Sequence, residues 1–192
     1  LRATAAEKQA AKLLAKDPWT DASRVSLVGH SLGAWVLPLV VEALGQDAAM
    51  VQRLVLVAPP GGDMGATLLR QLRFRLSLNP GETSLPKIIA EVEAAFATLR
   101  STGRMPGPVL GGGASYWEDV LRCDPIGAAA RLAQGMLVLR GGKDFQADAS
   151  DLAEWQRRLA GRRNVSFLTL ANLNHLLVDV PEGPSTGVEY YR

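Results

Sequence analysis

Three residues of this chain have the types and neighbours for nucleophilic acyl chemistry: Ser31, Asp144 and His175. A serine hydroxyl is a weak nucleophile at neutral pH and needs a base to take its proton, and an imidazole base needs a third group to hold its tautomer. Ser31 stands in Gly29-His30-Ser31-Leu32-Gly33, between a strand-like run Arg24–Val28 and an apolar run Ala34–Leu44 that reads as a buried helix. A sharp strand-to-helix turn lifts a serine Oγ clear of the backbone, and glycines on both sides are expected to let strand and helix approach without Cβ clashes. Asp144 closes the loop Gly141-Gly142-Lys143-Asp144 after the apolar run Gly135–Arg140, and His175 follows the run Asn164–Leu170. Each has a plainer reading. Ser31 could be an ordinary turn serine, and Asp144 could cap a helix expected at Ser150–Leu159, a role for which Asp148 competes. The other histidine, His30, is expected to pack or hydrogen-bond within the turn.

The elements that must position these residues alternate. A helix is expected over Thr4–Lys16, then strands near 25–29, 53–58, 135–140 and 165–170, with the Ala34–Leu44 helix kinked at Pro38. Strands separated by helices imply an α/β fold with a parallel sheet flanked by helices. Residues 63–117 break the rhythm: helices at Met64–Leu78 and Leu85–Leu99, then a Pro/Gly-rich loop from Gly103 to Gly113, with no strand before Gly135. An insertion of that kind is expected to form a helical cap, with 1–62 and 118–192 as the core. A surface excursion with no part in binding is the alternative. Gly111-Gly112-Gly113 lacks the preceding strand and following lysine of a phosphate loop and is expected to be a hinge of the cap.

With 192 residues, 47% of them hydrophobic, the chain can bury a sizeable core. A net charge of +2 points neither to nucleic acid nor to an anionic membrane, and no stretch has the roughly 18 apolar residues of a membrane span. No metal-ligand spacing, dinucleotide fingerprint or Walker loop appears, so no metal and no cofactor are expected. Cys123 is the single cysteine, so no internal disulfide can form. A cysteine nucleophile paired with His175 is the hypothesis it would support.

Several runs together carry a resemblance: Val28-Gly29-His30-Ser31-Leu32-Gly33, Ser115-Tyr116-Trp117 with Asp124-Pro125, Leu139 to Gln146, Leu173-Asn174-His175-Leu176, and Glu182 to Thr186. Over nearly its whole length the chain resembles the bacterial α/β-hydrolase carboxylesterases related to dienelactone hydrolase and serine aminopeptidases. The order Ser31, Asp144, His175 is that fold's triad order. The resemblance implies hydrolysis of a small-molecule carboxylic ester through an acyl-enzyme, with the Leu32 N–H as one oxyanion donor and Tyr116 and Trp117 near the acyl pocket. An aromatic anchor between cap and core is the other reading of those two rings. A thioesterase, acyltransferase or peptidase of the same superfamily, or a catalytically incomplete binding fragment, are the alternative functions. In that fold the serine turn follows the fifth strand, whereas one helix and a turn precede it here. The expectation is therefore strands five to eight of a longer enzyme, with the second oxyanion donor and any signal peptide outside this chain and localisation unreadable. The free strand edge at Val25–Val28 is expected to promote dimerisation or aggregation.

Overall fold

Four apolar runs become four strands: β1 (Val25–His30), β2 (Val51–Val57), β3 (Gly135–Gly141) and β4 (Val165–Leu170). They lie in the order β1-β2-β3-β4, and every neighbouring pair is parallel. The structure, a computed structural model, describes residues 9–10, 12–14, 16–21, 23–180, 182–183 and 185–187. Of the helix expected over residues 4–16, Gln9, Ala10, Lys12, Leu13 and Leu14 are helical and Lys16 lies in a turn; the other positions fall outside the described residues. Strand β2 starts two residues earlier than its sequence pattern indicates. Val51 pairs with Val25 and Arg53 with Ser26, so Gln52 is a bulge that breaks the alternation at that end. Among the described residues β1 pairs with β2 alone, and Val28 on it is 68% exposed.

The chain divides into two compact units, residues 1–62 with 124–192, and residues 63–123. In the first, helix α1 (Leu32–Leu44) buries Leu37, Val40, Val41 and Leu44, the i, i+3, i+4, i+7 stripe of an amphipathic helix, against β1 and β2. It continues through the buried Pro38 as one helix. A 3₁₀ segment, Gly45–Met50, returns the chain to β2.

The second unit is helical: α2 (Met64–Leu78), α3 (Leu85–Thr102) and α4 (Ala114–Arg122). Asp63 caps α2 by accepting the Ala66 N–H at 3.0 Å, and its other oxygen takes two bonds from the Arg100 guanidinium. Helix α3 buries Ile89, Val92, Phe96 and Leu99 and runs past the expected stop at Leu99 until Gly103, whose φ of 71° ends it. Trp117 and Val120 bury α4 into this unit, Trp117 meeting the Phe96 ring edge-on at 5.2 Å. The unit thus extends six residues beyond the return expected at 117.

Back in the first unit, α5 (Pro125–Arg131) and α6 (Ala149–Arg158) complete the packing. Val41 of α1, Leu54 and Leu56 of β2, Ile126 of α5, Val138 of β3 and Trp155 of α6 share one core. Full burial of such side chains contributes roughly 1.5–3 kcal/mol each. The loops at the C-terminal ends of β1, β3 and β4 leave this core at the same end of the sheet, because all four strands run parallel. Among the described residues no helix is long and apolar enough to cross a membrane.

Candidate active site

Ser31 is the single residue between the end of β1 and the start of α1, with φ 54° and ψ −123°. That conformation is costly for a residue with a Cβ and persists only where its surroundings over-determine it. Here the Ser31 N–H donates to the Val57 carbonyl at 2.8 Å and the Ser31 carbonyl accepts the Trp35 N–H at 3.0 Å. Its hydroxyl makes no capping bond to α1, and the first turn of that helix carries no acid. The positive end of the helix dipole and the Leu32 N–H therefore have no side-chain anion of their own helix to satisfy. Gly29 is required for this turn: a Cβ there would lie 2.6 Å from the Gly33 carbonyl oxygen and 2.7 Å from Ala34 Cα. Gly33 differs from the sequence expectation. A Cβ on it meets nothing within 4 Å, so strand-helix contact demands glycine on one side of the serine only.

Asp144 and His175 are brought together. Both are 4% exposed, and His175 Nδ1 lies 2.9 Å from Asp144 Oδ2. An ionised carboxylate only accepts, so Nδ1 carries the proton in this pair and Nε2 keeps the lone pair of a base. Asp144 Oδ1 is occupied by the N–H groups of Gln146 at 2.8 Å and Ala147 at 3.0 Å, which fixes the carboxyl plane. The competing role as helix cap goes to Asp148, which accepts the Ser150 N–H at 2.8 Å in a capping box completed by Asp151.

The loops bearing Asp144 and His175 are pressed together backbone to backbone. A Cβ on Gly141 would sit 2.1 Å from the Leu173 carbonyl oxygen, and one on Gly142 would sit 2.2 Å from that of Ala171. The Gly142 N–H donates to Leu170 at 2.7 Å and the Lys143 N–H to Leu173 at 2.9 Å. The paired glycines before Lys143-Asp144 are the sequence signal for this contact.

Three supporting residues carry no comparable signal in the sequence. Asn174, fully buried, accepts the N–H groups of Leu176 and Val178 at 3.0 Å each and so folds the loop around His175. His30 donates from Nε2 to the His175 carbonyl at 2.8 Å, its ring centroid 4.7 Å from that of His175. The residue before the serine thus reaches out of the turn, within which it was expected to pack or hydrogen-bond, and touches the His175 loop directly. Arg140, 7% exposed, donates through Nη2 to the carbonyls of Gly142 and Asp144 at 3.3 Å.

Tyr116 and Trp117 lie in the second unit. The Trp117 indole N–H donates to the Val109 carbonyl at 3.0 Å, so its polar edge is already occupied and its ring anchors α4 to α3. Tyr116 is 38% exposed, and partial burial pushes its phenol above the ordinary value. Both line a cavity of about 600 Å³ with Leu68 and Leu110–Gly113. Leu110 and Gly111, at φ 46° and 82°, form the tip of a tight turn closed by reciprocal Val109–Gly112 bonds of 2.9 Å. Gly111–Gly113 is therefore a turn within this unit and not a hinge, since the chain crosses between the units at 62–63 and 123–124. Burial raises the Cys123 thiol, and its Sγ–H is spent on the Asp119 carbonyl, which is the wrong setting for a thiolate nucleophile. Among the described residues no cluster of His, Cys, Asp and Glu could hold a metal ion.

The sequence profile of the alpha/beta hydrolase family matches residues 2–183. Esterase EstD of Thermotoga maritima is 35% identical over 176 residues, spanning 90% of this chain and 39% of that protein. The chain thus covers about two fifths of the length of that curated relative. Among solved structures, the esterase domain of a Rhodothermus marinus protein superposes with a TM-score of 0.56 at 16% identity, covering 92% of this chain and 62% of that one. The Pyrococcus furiosus esterase Pf2001 superposes with a TM-score of 0.54 at 12% identity, over 90% of this chain and 53% of that one. These two show a shared fold. With its parallel sheet, its strained serine at a strand-to-helix turn and a profile match over nearly its whole length, the chain belongs to the alpha/beta hydrolase family.

Proposed function

We propose that the chain carries the catalytic residues of a carboxylic ester hydrolase, with Ser31 as nucleophile, His175 as base and Asp144 as the acid that orients it. The observation that carries this reading is the buried Asp144–His175 pair, whose histidine loop is touched by the neighbour of a strained serine whose hydroxyl does not cap its helix. His175 Nε2 takes the Ser31 proton as Oγ attacks the ester carbonyl. The imidazolium is stabilised by Asp144, and the proton then passes to the departing alcohol. Water repeats the sequence on the acyl-enzyme with the same base, releasing the acid and restoring Ser31. The oxyanion is met by the Leu32 N–H at the uncapped end of α1, with the helix dipole behind it. Residues 63–123 act as the cap, and the cavity bearing Leu68, Leu110, Tyr116 and Trp117 takes the apolar part of a short- to medium-chain ester. EstD, the 35%-identical relative, is named an esterase, which supports the choice of ester over amide.

Fluorophosphonate labelling tests the assignment. Ser31 should carry the label, and Ser31→Ala should abolish both labelling and p-nitrophenyl ester turnover. Loss of a triad member leaves about 10³–10⁴-fold catalysis over water. A label that persists in the Ser31→Ala protein places the nucleophile elsewhere.

A further inference from the structure

Arg140 is the only charged residue of β3, and by the alternation of a strand it shares a face with Met136 and Val138, both of the core. It is buried, yet among the described residues it makes no ion pair. Its Nη2 donates to the carbonyls of Gly142 and Asp144 at 3.3 Å each, and its buried Nε has no partner. The guanidinium groups of Arg131, Arg157 and Arg158, by contrast, each meet a carboxylate at 2.6 Å. A buried guanidinium without a carboxylate costs more to desolvate than two long bonds to carbonyls return, and a methionine would fill the same face. Stability therefore does not account for an arginine at 140.

What the two bonds hold is the loop that carries Asp144. Its N–H groups are satisfied elsewhere: Gly142 donates to Leu170 at 2.7 Å, Lys143 to Leu173 at 2.9 Å and Asp144 to Gly141 at 3.2 Å. Beyond the loop, Gln146 and Ala147 donate to the Asp144 carboxyl. All of these bonds fix donors. Arg140 takes the acceptors, one on each side of Lys143-Asp144, and takes both from one nitrogen, so the peptide planes that bracket the two residues cannot turn independently.

We propose that Arg140 is a positioning residue for the reaction: it clamps the peptide planes before Lys143 and after Asp144, and so holds the Asp144 carboxyl at bonding distance from His175 Nδ1. The kinetic half of this rests on the esterase reading above; the clamp itself does not. Drift of Oδ2 from its 2.9 Å contact weakens the bond that orients the imidazole and stabilises the imidazolium. The loss then falls on the chemical step and spares ester binding. Both bonds leave from Nη2 alone, so the planar fork of arginine is not needed, and a lysine ammonium with its three donors can serve the same two carbonyls.

The test compares Arg140→Met, which removes both donors and keeps the length, with Arg140→Lys in the intact protein. Three readouts are taken: kcat and KM for p-nitrophenyl acetate, thermal melts, and hydrogen exchange resolved at single amides. Arg140→Met should lower kcat about tenfold with KM within about twofold of wild type, while the melting temperature moves by no more than about 3 °C. The amides of Lys143, Gln146 and Ala147 should exchange about tenfold faster, and that of Ser150, held by Asp148, should not change. Arg140→Lys should recover most of the lost kcat and of the lost protection. A kcat for Arg140→Met within about threefold of wild type overturns the proposal, as does a lysine variant no better than the methionine one. A melting temperature lowered by more than about 10 °C in Arg140→Met also overturns it, since the arginine then serves the fold. If the wild-type protein turns over no ester, the esterase reading fails, and exchange at the three amides alone decides the clamp: rates equal to wild type in Arg140→Met overturn it.

Discussion

Replacing Asp144 with asparagine isolates the tautomer argument from the fold. The carboxyl has two separate jobs: Oδ1 accepts from Gln146 and Ala147, and Oδ2 faces His175 Nδ1 at 2.9 Å. An asparagine carbonyl placed at Oδ1 keeps both loop bonds, so the loop and α6 behind it keep their anchor. The amide nitrogen then takes the place of Oδ2 and presents a donor to Nδ1. Two donors cannot face each other, so the imidazole must turn its lone pair to Nδ1 and carry its proton on Nε2, where a base is needed. Activity of the analogous variant in a Ser-His-Asp site falls about 10⁴-fold, or about 5 kcal/mol of transition-state stabilisation. The opposite amide flip would face two backbone N–H groups with another donor, a loss of about 1–3 kcal/mol in a buried site, and is disfavoured. Stopped assays with p-nitrophenyl acetate should therefore show kcat down by about four decades while the melting temperature moves by no more than about 3 °C. Turnover within tenfold of wild type would refute the tautomer reasoning. A collapse of the melting temperature would instead show that the asparagine fails to hold the loop.

Two further predictions concern the backbone. Gly29→Ala should cost about 3 kcal/mol and lower the melting temperature by about 6–12 °C, because the new Cβ meets backbone atoms that cannot swing aside; Gly33→Ala should be nearly neutral, and equal effects in thermal melts would contradict the open space beside Gly33. Leu110→Gly should stabilise the second unit by about 1 kcal/mol by relieving a left-handed leucine at φ 46°, while weakening binding of long-chain esters through loss of an apolar cavity wall, which denaturation and chain-length profiles can check together.

The strands and the loops that carry Ser31, Asp144 and His175 were legible because their signals are local. Val and Leu runs interrupted by glycine mark the ends of parallel strands, and in Gly29–Gly33 and Gly141–Asp144 the punctuation and the candidate side chain share one loop. The illegible parts act across the chain. Asn174 folds a loop, His30 reaches His175 145 positions away, and Arg140 sits inside an otherwise apolar strand; none of these leaves a period or a spacing to read. Helix α5 is a seven-residue segment too short for a period to stand out, and its Pro125 start resembles a turn. Gly33 and Gly111–Gly113 misled for the opposite reason: a glycine announces freedom of the backbone without saying whether a neighbour, a turn or open space uses it.

The fusion of the Gly141–Asp144 loop to the Ala171–Asp179 loop has a consequence for redesign. Because a Cβ on Gly141 would lie 2.1 Å from the Leu173 carbonyl oxygen and one on Gly142 2.2 Å from that of Ala171, neither loop is an independent module. Lengthening or transplanting the Asp144 loop alone would carry side chains into Ala171 and Leu173, and reshaping the His175 loop alone would strand the N–H groups of Gly142 and Lys143. Any recombination between homologous hydrolases that places a crossover between 145 and 170 would separate parts that must be inherited as a pair, so viable chimaeras should have their junctions before β3 or after Asp179.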